Sequence, residues 1–392
     1  MKVIYTAAHG GFAGEHAPLG GGAAIFDMLY AEWSISKPFD FTHFTPQSVT
    51  GREIISFDTG SYARFARQFE AASTKAIQQH DSTDSVILVN DIAEGPDFKA
   101  LRKYKIATIW HVDVVAYIAA IYCRKLVSAE TLVKLHRLLG AVYPDVLQLI
   151  FQKQSDCVQY SAAHIVPSRE MKETILRCYP QANPAKIHVL PWGAPPVLPP
   201  IDKREAREKL GIPSGALVLI TLSRLSPEKN QQLLLEALAA WEQLPGYPKV
   251  YALICGGAAY MHGNKHEALL RAIAAQLTKT KVFFPGHVHG EQKQLYFSAA
   301  DLYVFPSSHE SYGLTLMEAF QYGLPALTLA NAVMQPAFGA VATKATFLTE
   351  LQRLAQSNLH EKVRAAQAFA KQNPFANAAG ALAQILTKLQ YE

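Results

Sequence analysis

Two carboxylates, Glu310 and Glu318, stand in the stretch ADLYVFPSSHESYGLTLMEAFQYGLP, residues 300–325. The first belongs to a loop and the second to a helical pattern. Gly313 lies where the loop becomes the helix, so a ligand can approach the main chain closely there. The free N–H groups of the first helical turn favour an anion such as a phosphate. A second set lies upstream, where Arg224 and Lys229 flank the loop SRLSPEKN. Arg offers a planar fork and Lys a mobile point charge, so the two are not interchangeable around an anion. A third set follows apolar runs in the first half. Asp91 and Glu94 come after SVILVN, and His111 and Asp113 come after IATIW. Gly20-Gly21-Gly22 ends a glycine-rich loop that begins at His9-Gly10-Gly11 and also holds Glu15 and His16.

The elements that must position these groups read as an alternation of buried strands and helices. Asp301–Phe305 is a short apolar strand broken by Pro306, Ser307 and Ser308. A helix then runs from Leu314 to Tyr322 and stops at Gly323, with Pro325 beyond. Within it, Thr315, Glu318 and Tyr322 share one face at i, i+3 and i+7. That polar stripe faces either water or a site, and spacing alone leaves both open. Arg224 and Lys229 follow the strand 216–222, and surface pairing with Glu228 is the bland alternative. Strands at 250–255 and 281–284 end in Gly256-Gly257 and Pro285-Gly286-His287-Val288. In the first half, strands are expected at 2–8, 85–90, 106–110 and 163–168. The helical run 23–33 follows the glycine loop. A long apolar helical stretch, 115–150, is interrupted at Pro144. Its cations Arg124, Lys125, Lys134 and Arg137 are scattered, which fits solvated helix faces better than a membrane-binding face.

The 392 residues suffice for two ordinary domains. Hydrophobic content of 49% and charged content of 18% describe a core-forming protein. The net charge of +5 permits attraction to phosphates without demanding nucleic acid, and no basic run with interleaved aromatics is present. Cys123, Cys157, Cys178 and Cys255 form no CxxC pair and no metal-spaced cluster. Reduced thiols fit a cytoplasmic protein, with peripheral contact to the inner face of a membrane as an added expectation. The start, MKVIYTAAHGG, is too short in apolar residues for a signal peptide, and no run approaches a membrane span. Prolines 191, 195, 196, 199 and 200 mark a stiff connector.

The string Glu310-Ser-Tyr-Gly-Leu-Thr-Leu-Met-Glu318-Ala, with ADLYVFPS before it and GLPAL after, resembles the E-x7-E signature of retaining GT-B glycosyltransferases of family 4, the glycosyl transferases group 1. SRLSPEKN resembles the diphosphate loop of the same family. The resemblance implies an α/β chain of two Rossmann-like domains facing each other across a cleft. It implies an acceptor-side domain at 1–195, a nucleotide-sugar-binding domain at 196–375, and a helix at 376–392 crossing back to the first. Carried over by position, Glu310 meets the donor sugar together with the backbone after it. Gly313, Leu314 and Thr315 form the helix start at the diphosphate, and Glu318 holds the ribose. Arg224 and Lys229 stabilise the leaving diphosphate, Gly21 and Gly22 approach it, and Gly256 allows close approach of the donor. Val288 touches the base, and His111 lies near the reacting carbon. No metal is expected, since His287 and His289 are too few for a site and no DxD-like pair stands out. No cofactor is implied beyond the nucleotide-diphosphate sugar as co-substrate.

The resemblance further implies transfer with retention to a saccharide, lipid-linked or small-molecule acceptor in bacterial glycan or glycoconjugate synthesis. After Leu329 the sequence departs: ANAVMQPAFG stands where a Gly-Gly turn, an acid and a second donor loop belong. A nucleotide-sugar 2-epimerase of the same architecture and a non-catalytic nucleotide-sugar-binding protein are the competing readings.

Overall fold

The computed structural model describes residues 1–9, 20–51, 59–121, 127–139, 143–258, 263–329 and 334–392. Gly10, Gly11, Glu15, His16, Cys123, Arg124 and Lys125, and the part of the divergent stretch at 330–333, lie outside them.

The first half supplies β1 (Lys2–Thr6), β2 (Asp40–Phe44), β3 (Ser85–Val89), β4 (Lys105–Ile109), β5 (Ala163–Val166) and β6 (Ile187–Val189). They pair in parallel in the order β2-β1-β3-β4-β5-β6. The second half supplies β7 (Leu217–Leu222), β8 (Val250–Cys255), β9 (Thr280–Gly286), β10 (Leu302–Phe305), β11 (Ala326–Thr328) and β12 (Gly339–Val341). Their parallel order is β12-β11-β10-β7-β8-β9. Parallel strands covered by helices on both faces need unbroken apolar runs. SVILV in β3 and VYALIC in β8 are buried at every position.

Strand order decides where ligands can reach the sheet. In the first sheet the order reverses between β1 and β3, and in the second between β7 and β10. At such a point the two following loops diverge to opposite faces and leave a crevice at the strand ends. The loops after β1 and β3 carry His9 and Asp91. Those after β7 and β10 carry Arg224, Lys229 and Glu310.

The chain divides into two compact units, Met1–Trp192 with Ala376–Glu392, and Gly193–Phe375. The division falls at Trp192/Gly193, a little before the boundary placed at residue 195. The final helix Phe375–Tyr391 belongs to the first unit, where Trp33 Nε1 donates to the Ala379 carbonyl at 3.2 Å. At the junction, Gly193 has φ +73°, and a Cβ there would lie 2.5 Å from the Asn373 carbonyl oxygen. Only glycine fits that crossing of two backbones.

Two element readings need correction. The run expected over 115–150 is three helices among the described residues: Val114–Ile121, Ala129–Leu139 and Asp145–Tyr160. Pro144 is the N-cap of the last, where a missing N–H costs nothing. A helix at His360–Gln372 was passed over. The segment 360–372 is charged and Ala-rich, and its apolar stripe, Val363, Ala366, Phe369 and Ala370, is half alanine and so reads weakly, although Phe369 packs against Phe338. Among the described residues no helix is long and apolar enough to cross a membrane.

Candidate donor-binding site

The second unit brings most of the sequence-derived residues to one sheet edge. The loop after β7 tightens into a short 3-10 turn, Pro227–Lys229, capped by Asn230 in the left-handed region at φ +56°. The loop after β10 is tied to it. The Glu228 carbonyl accepts from the Ser308 N–H at 2.9 Å and the Ser308 hydroxyl at 3.1 Å. Asn230 Nδ2 donates to the Pro306 carbonyl at 3.2 Å. Knitted loops hold their side chains without relying on a ligand. Lys229 Nζ pairs with Glu310 Oε1, each side chain 13% exposed, so the pair is mostly withdrawn from water. The bland alternative for the cations is half realised. Arg224 does lie 3.7 Å from Glu228, but Lys229 turns to Glu310 instead. Burial pushes the Glu228 carboxyl up, yet the Ser226 hydroxyl at 2.6 Å and a main-chain N–H outweigh it, with Arg224 assisting, and Glu228 stays anionic.

Gly313 caps the helix Leu314–Gln321 at φ +104°, a value that favours glycine, and among the described residues no side chain hydrogen-bonds the first-turn N–H groups. The polar stripe of that helix faces protein, not bulk water. The Tyr303 hydroxyl lies 2.7 Å from Thr315 Oγ1, and the Tyr322 hydroxyl donates to the Leu198 carbonyl at 2.8 Å. Glu318 is 7% exposed, with Oε1 accepting from Lys293 Nζ at 2.7 Å. Its Oε2 is buried and has no hydrogen-bond partner. Burial raises the Glu318 carboxyl and Lys293 opposes the rise. A buried acceptor left without a donor is the place where a ligand hydroxyl fits. Lys293, on the helix Gly290–Ala299, was not foreseen. It lies far from Glu318 in sequence, and nothing local marks the pairing.

Gly256, expected to admit the donor, is required by the protein itself. At φ +139° its Cβ would sit 1.8 Å from the Ser223 carbonyl oxygen. Val288 is buried, at 4% exposure. Among the described residues no group of three or more His, Cys, Asp or Glu could hold a metal ion.

The first unit carries a separate polar centre at the β1/β3 switch. Asp91 Oδ2 accepts from the Ala8 N–H at 2.8 Å, the His9 N–H at 3.3 Å and Asn90 Nδ2 at 3.2 Å. His9 Nδ1 lies 3.3 Å from Asp91 Oδ1. Burial would raise the Asp91 carboxyl, but His9 and the hydrogen bonds hold it well below the usual range. Burial wins at Glu94 and pushes it up, with Tyr62 donating to its Oε1. The two acids are therefore driven apart. His111 is half-buried, desolvation of its ring lowers it to about 4, and its buried Nε2 has no hydrogen-bond partner. Gly22 clears this centre, because a Cβ there would meet His111 Cδ2 at 3.1 Å and Asp91 Oδ1 at 3.3 Å. Gly21 opens the helix Gly21–Ser36, and a Cβ there would meet nothing within 4 Å. Asp113 is a structural cap. Its Oδ1 accepts from the Ala116 N–H at 2.9 Å and from Gln154 Nε2 at 3.1 Å.

Lys153 holds the Asp91–Pro96 loop from beneath. Its Nζ donates to the Gly95 carbonyl at 2.7 Å and the Pro96 carbonyl at 2.9 Å, and pairs with Glu70 at 3.0 Å. Lys153→Met would leave Glu70 and two carbonyls unsatisfied. Urea denaturation should show a loss of about 3 kcal/mol, the scale for breaking one side of a buried pair. A loss under about 1 kcal/mol would mean water replaces the ammonium.

Residues 202–347 match the family model described as Glycosyl transferases group 1. Over its whole length the chain superposes on solved glycosyltransferase structures. Sucrose-phosphate synthase from Thermosynechococcus elongatus matches with a TM-score of 0.74 at 16% identity, over 99% of this chain and 98% of that one. WaaG, a glycosyltransferase involved in lipopolysaccharide biosynthesis, matches with a TM-score of 0.70 at 17% identity, over 98% and 99%. The fold is GT-B. At such identities structural likeness speaks to fold alone. HepE of Anabaena, solved in complex with UDP-glucose, matches with a TM-score of 0.64 at 16% identity, over 99% of this chain and 100% of that one. Among curated relatives, alpha-monoglucosyldiacylglycerol synthase of Streptococcus pneumoniae is 34% identical over 143 residues, 35% of this chain and 31% of that protein. D-inositol 3-phosphate glycosyltransferase of Stackebrandtia nassauensis is 31% identical over 209 residues, 52% of this chain and 46% of that protein. The matched region thus spans less than half the length of these relatives.

Proposed function

We propose that this GT-B chain is a retaining, metal-independent hexosyltransferase of family 4 that moves a sugar from a nucleoside-diphosphate donor to an acceptor hydroxyl. The observation that carries the reading is the convergence at the β7/β10 switch. Arg224, the Lys229–Glu310 pair and the Gly313 helix start stand on two loops bonded to each other, and the helix that follows carries the unpartnered Glu318 Oε2. Cations and helix N–H groups suit a diphosphate whose charge grows as the glycosidic bond breaks. Glu318 accepts from the ribose, and Glu310 from the sugar hydroxyls. The departing phosphate takes the acceptor's proton on the same face, so positioning supplies most of the rate. His111 orients the reacting region of the sugar, and the helix start at Gly21 and Gly22 adds N–H groups for the diphosphate. The acceptor is a saccharide, a lipid-linked glycan or a small glycoside in bacterial glycan synthesis, and the relatives named for monoglucosyldiacylglycerol and for D-inositol 3-phosphate support that range.

Retention is checked on the slow reaction with water. Early proton NMR of the sugar released from an α-linked donor should show the α-anomer first, at a rate unchanged by a chelator. The β-anomer first would overturn retention, and a chelator-sensitive rate would overturn metal independence.

A further inference from the structure

We propose that Gln231 and His266 are positioning residues that aim the Arg224 loop at the donor's outer phosphate, an inference that rests on the donor-binding reading. Gln231 opens the helix Gln231–Trp241, two residues after Lys229, and is completely buried. Its Nε2 donates to the Arg224 carbonyl at 2.7 Å and to Ser223 Oγ at 2.9 Å. Its Oε1 lies 3.1 Å from Nε2 of His266, itself 6% exposed on the helix Gly263–Ala274.

The chemistry fixes every orientation. A carbonyl can only accept, so the amide NH2 must face Arg224. The amide oxygen then faces His266, whose Nε2 must carry a proton. The chain His266 Nε2–H to Gln231 Oε1, and Gln231 Nε2–H to Arg224, leaves no freedom to flip the amide. On the other side, the Ser223 N–H donates to the Cys255 carbonyl at 3.1 Å and the Leu225 N–H to the Gly257 carbonyl at 2.9 Å. The backbone at Arg224 is thereby clamped between β8's exit and the buried amide. A guanidinium on a fixed main chain arrives at its anion already oriented, and less freedom is lost on binding. Burying a polar trio behind an apolar sheet is costly unless each member is satisfied, and here the contacts it makes end on the anion loop.

The test compares calorimetric affinities for UDP and UMP, GDP and GMP, and ADP and AMP, with thermal midpoints recorded for each variant. For the base that binds, Gln231→Met should weaken the diphosphate about tenfold, or ~1.4 kcal/mol, and the monophosphate by less than about twofold. Gln231→Glu keeps the acceptor for His266 but turns a carboxylate toward the Arg224 carbonyl, so it should show the same selective loss even if Gln231→Met folds poorly. His266→Gln, which still donates, should retain affinity, while His266→Leu should not. In an Arg224→Met background, Gln231→Met should add nothing. Equal loss of mono- and diphosphate, or additive losses with Arg224→Met, would overturn the positioning role. Failure of the unaltered protein to bind any of the six nucleotides would instead sink the donor-binding reading, and this inference with it.

Discussion

Lys229→Met should lower turnover of the nucleotide sugar by about 100- to 1,000-fold, the scale for losing one preorganised charge at a developing anion. The fold should survive, because methionine keeps most of the apolar stem and Glu310 is not wholly cut off from water. A thermal midpoint within a few degrees is the control. Lys229→Met paired with Glu310→Gln separates the two contributions, since the double variant leaves no unpaired carboxylate. If Lys229 only neutralises Glu310, the double variant turns over as fast as Glu310→Gln alone. If it stabilises the leaving diphosphate, the double variant stays about 100- to 1,000-fold below Glu310→Gln.

Gly256→Ala should cost stability and activity together. The new methyl group would lie 1.8 Å from the Ser223 carbonyl oxygen, at a φ of +139° that side chains rarely adopt. Strain of this kind costs roughly 1–3 kcal/mol, and the clash must also move backbone. A loss of about 3 kcal/mol or more is expected in urea denaturation. Because Ser223 precedes Arg224, the folded fraction should also bind a nucleoside diphosphate more weakly. Gly257→Ala is the internal control, since a Cβ there meets nothing within 4 Å. Equal stability for the two variants would show that the β7 and β8 exits are not packed as described.

Which parts of this were legible in the chain follows from how local each signal is. SVILV and VYALIC announce buried parallel strands because both sheet faces are covered, so all but Ser85 are hydrophobic. The loop after β10 and its helix were readable for the same reason. Phe305 to Gly323 holds a strand end, a break, a glycine cap and a stop within one short run. Glu318's polar stripe was placed on one helix face correctly, but whether it met water was undecidable from spacing. Its partners Lys293, Tyr303 and Leu198 come from three other segments. Gln231 and His266 were missed because an amide between Asn230 and Gln232 looks like any helix-start polar residue. Gly256 was singled out as a place of close approach, and the neighbour the structure shows there is the Ser223 carbonyl. A glycine in the sequence hints at crowding, but not at which atom comes close. Asp113 illustrates the reverse error, in which a strand-end acid suggested chemistry and proves to be a helix cap.

The most direct test of the central claim is a panel of UDP-, GDP-, ADP- and TDP-sugars, scored for thermal stabilisation and slow release of the nucleoside diphosphate. The β7/β10 site predicts that one base class raises the thermal midpoint and is released slowly in water. It also predicts that Glu318→Gln weakens the stabilisation, while Lys229→Met mainly slows the release. Stabilisation by none of the four, with the same midpoint in Glu318→Gln, would contradict a nucleotide-sugar site at the β7/β10 switch.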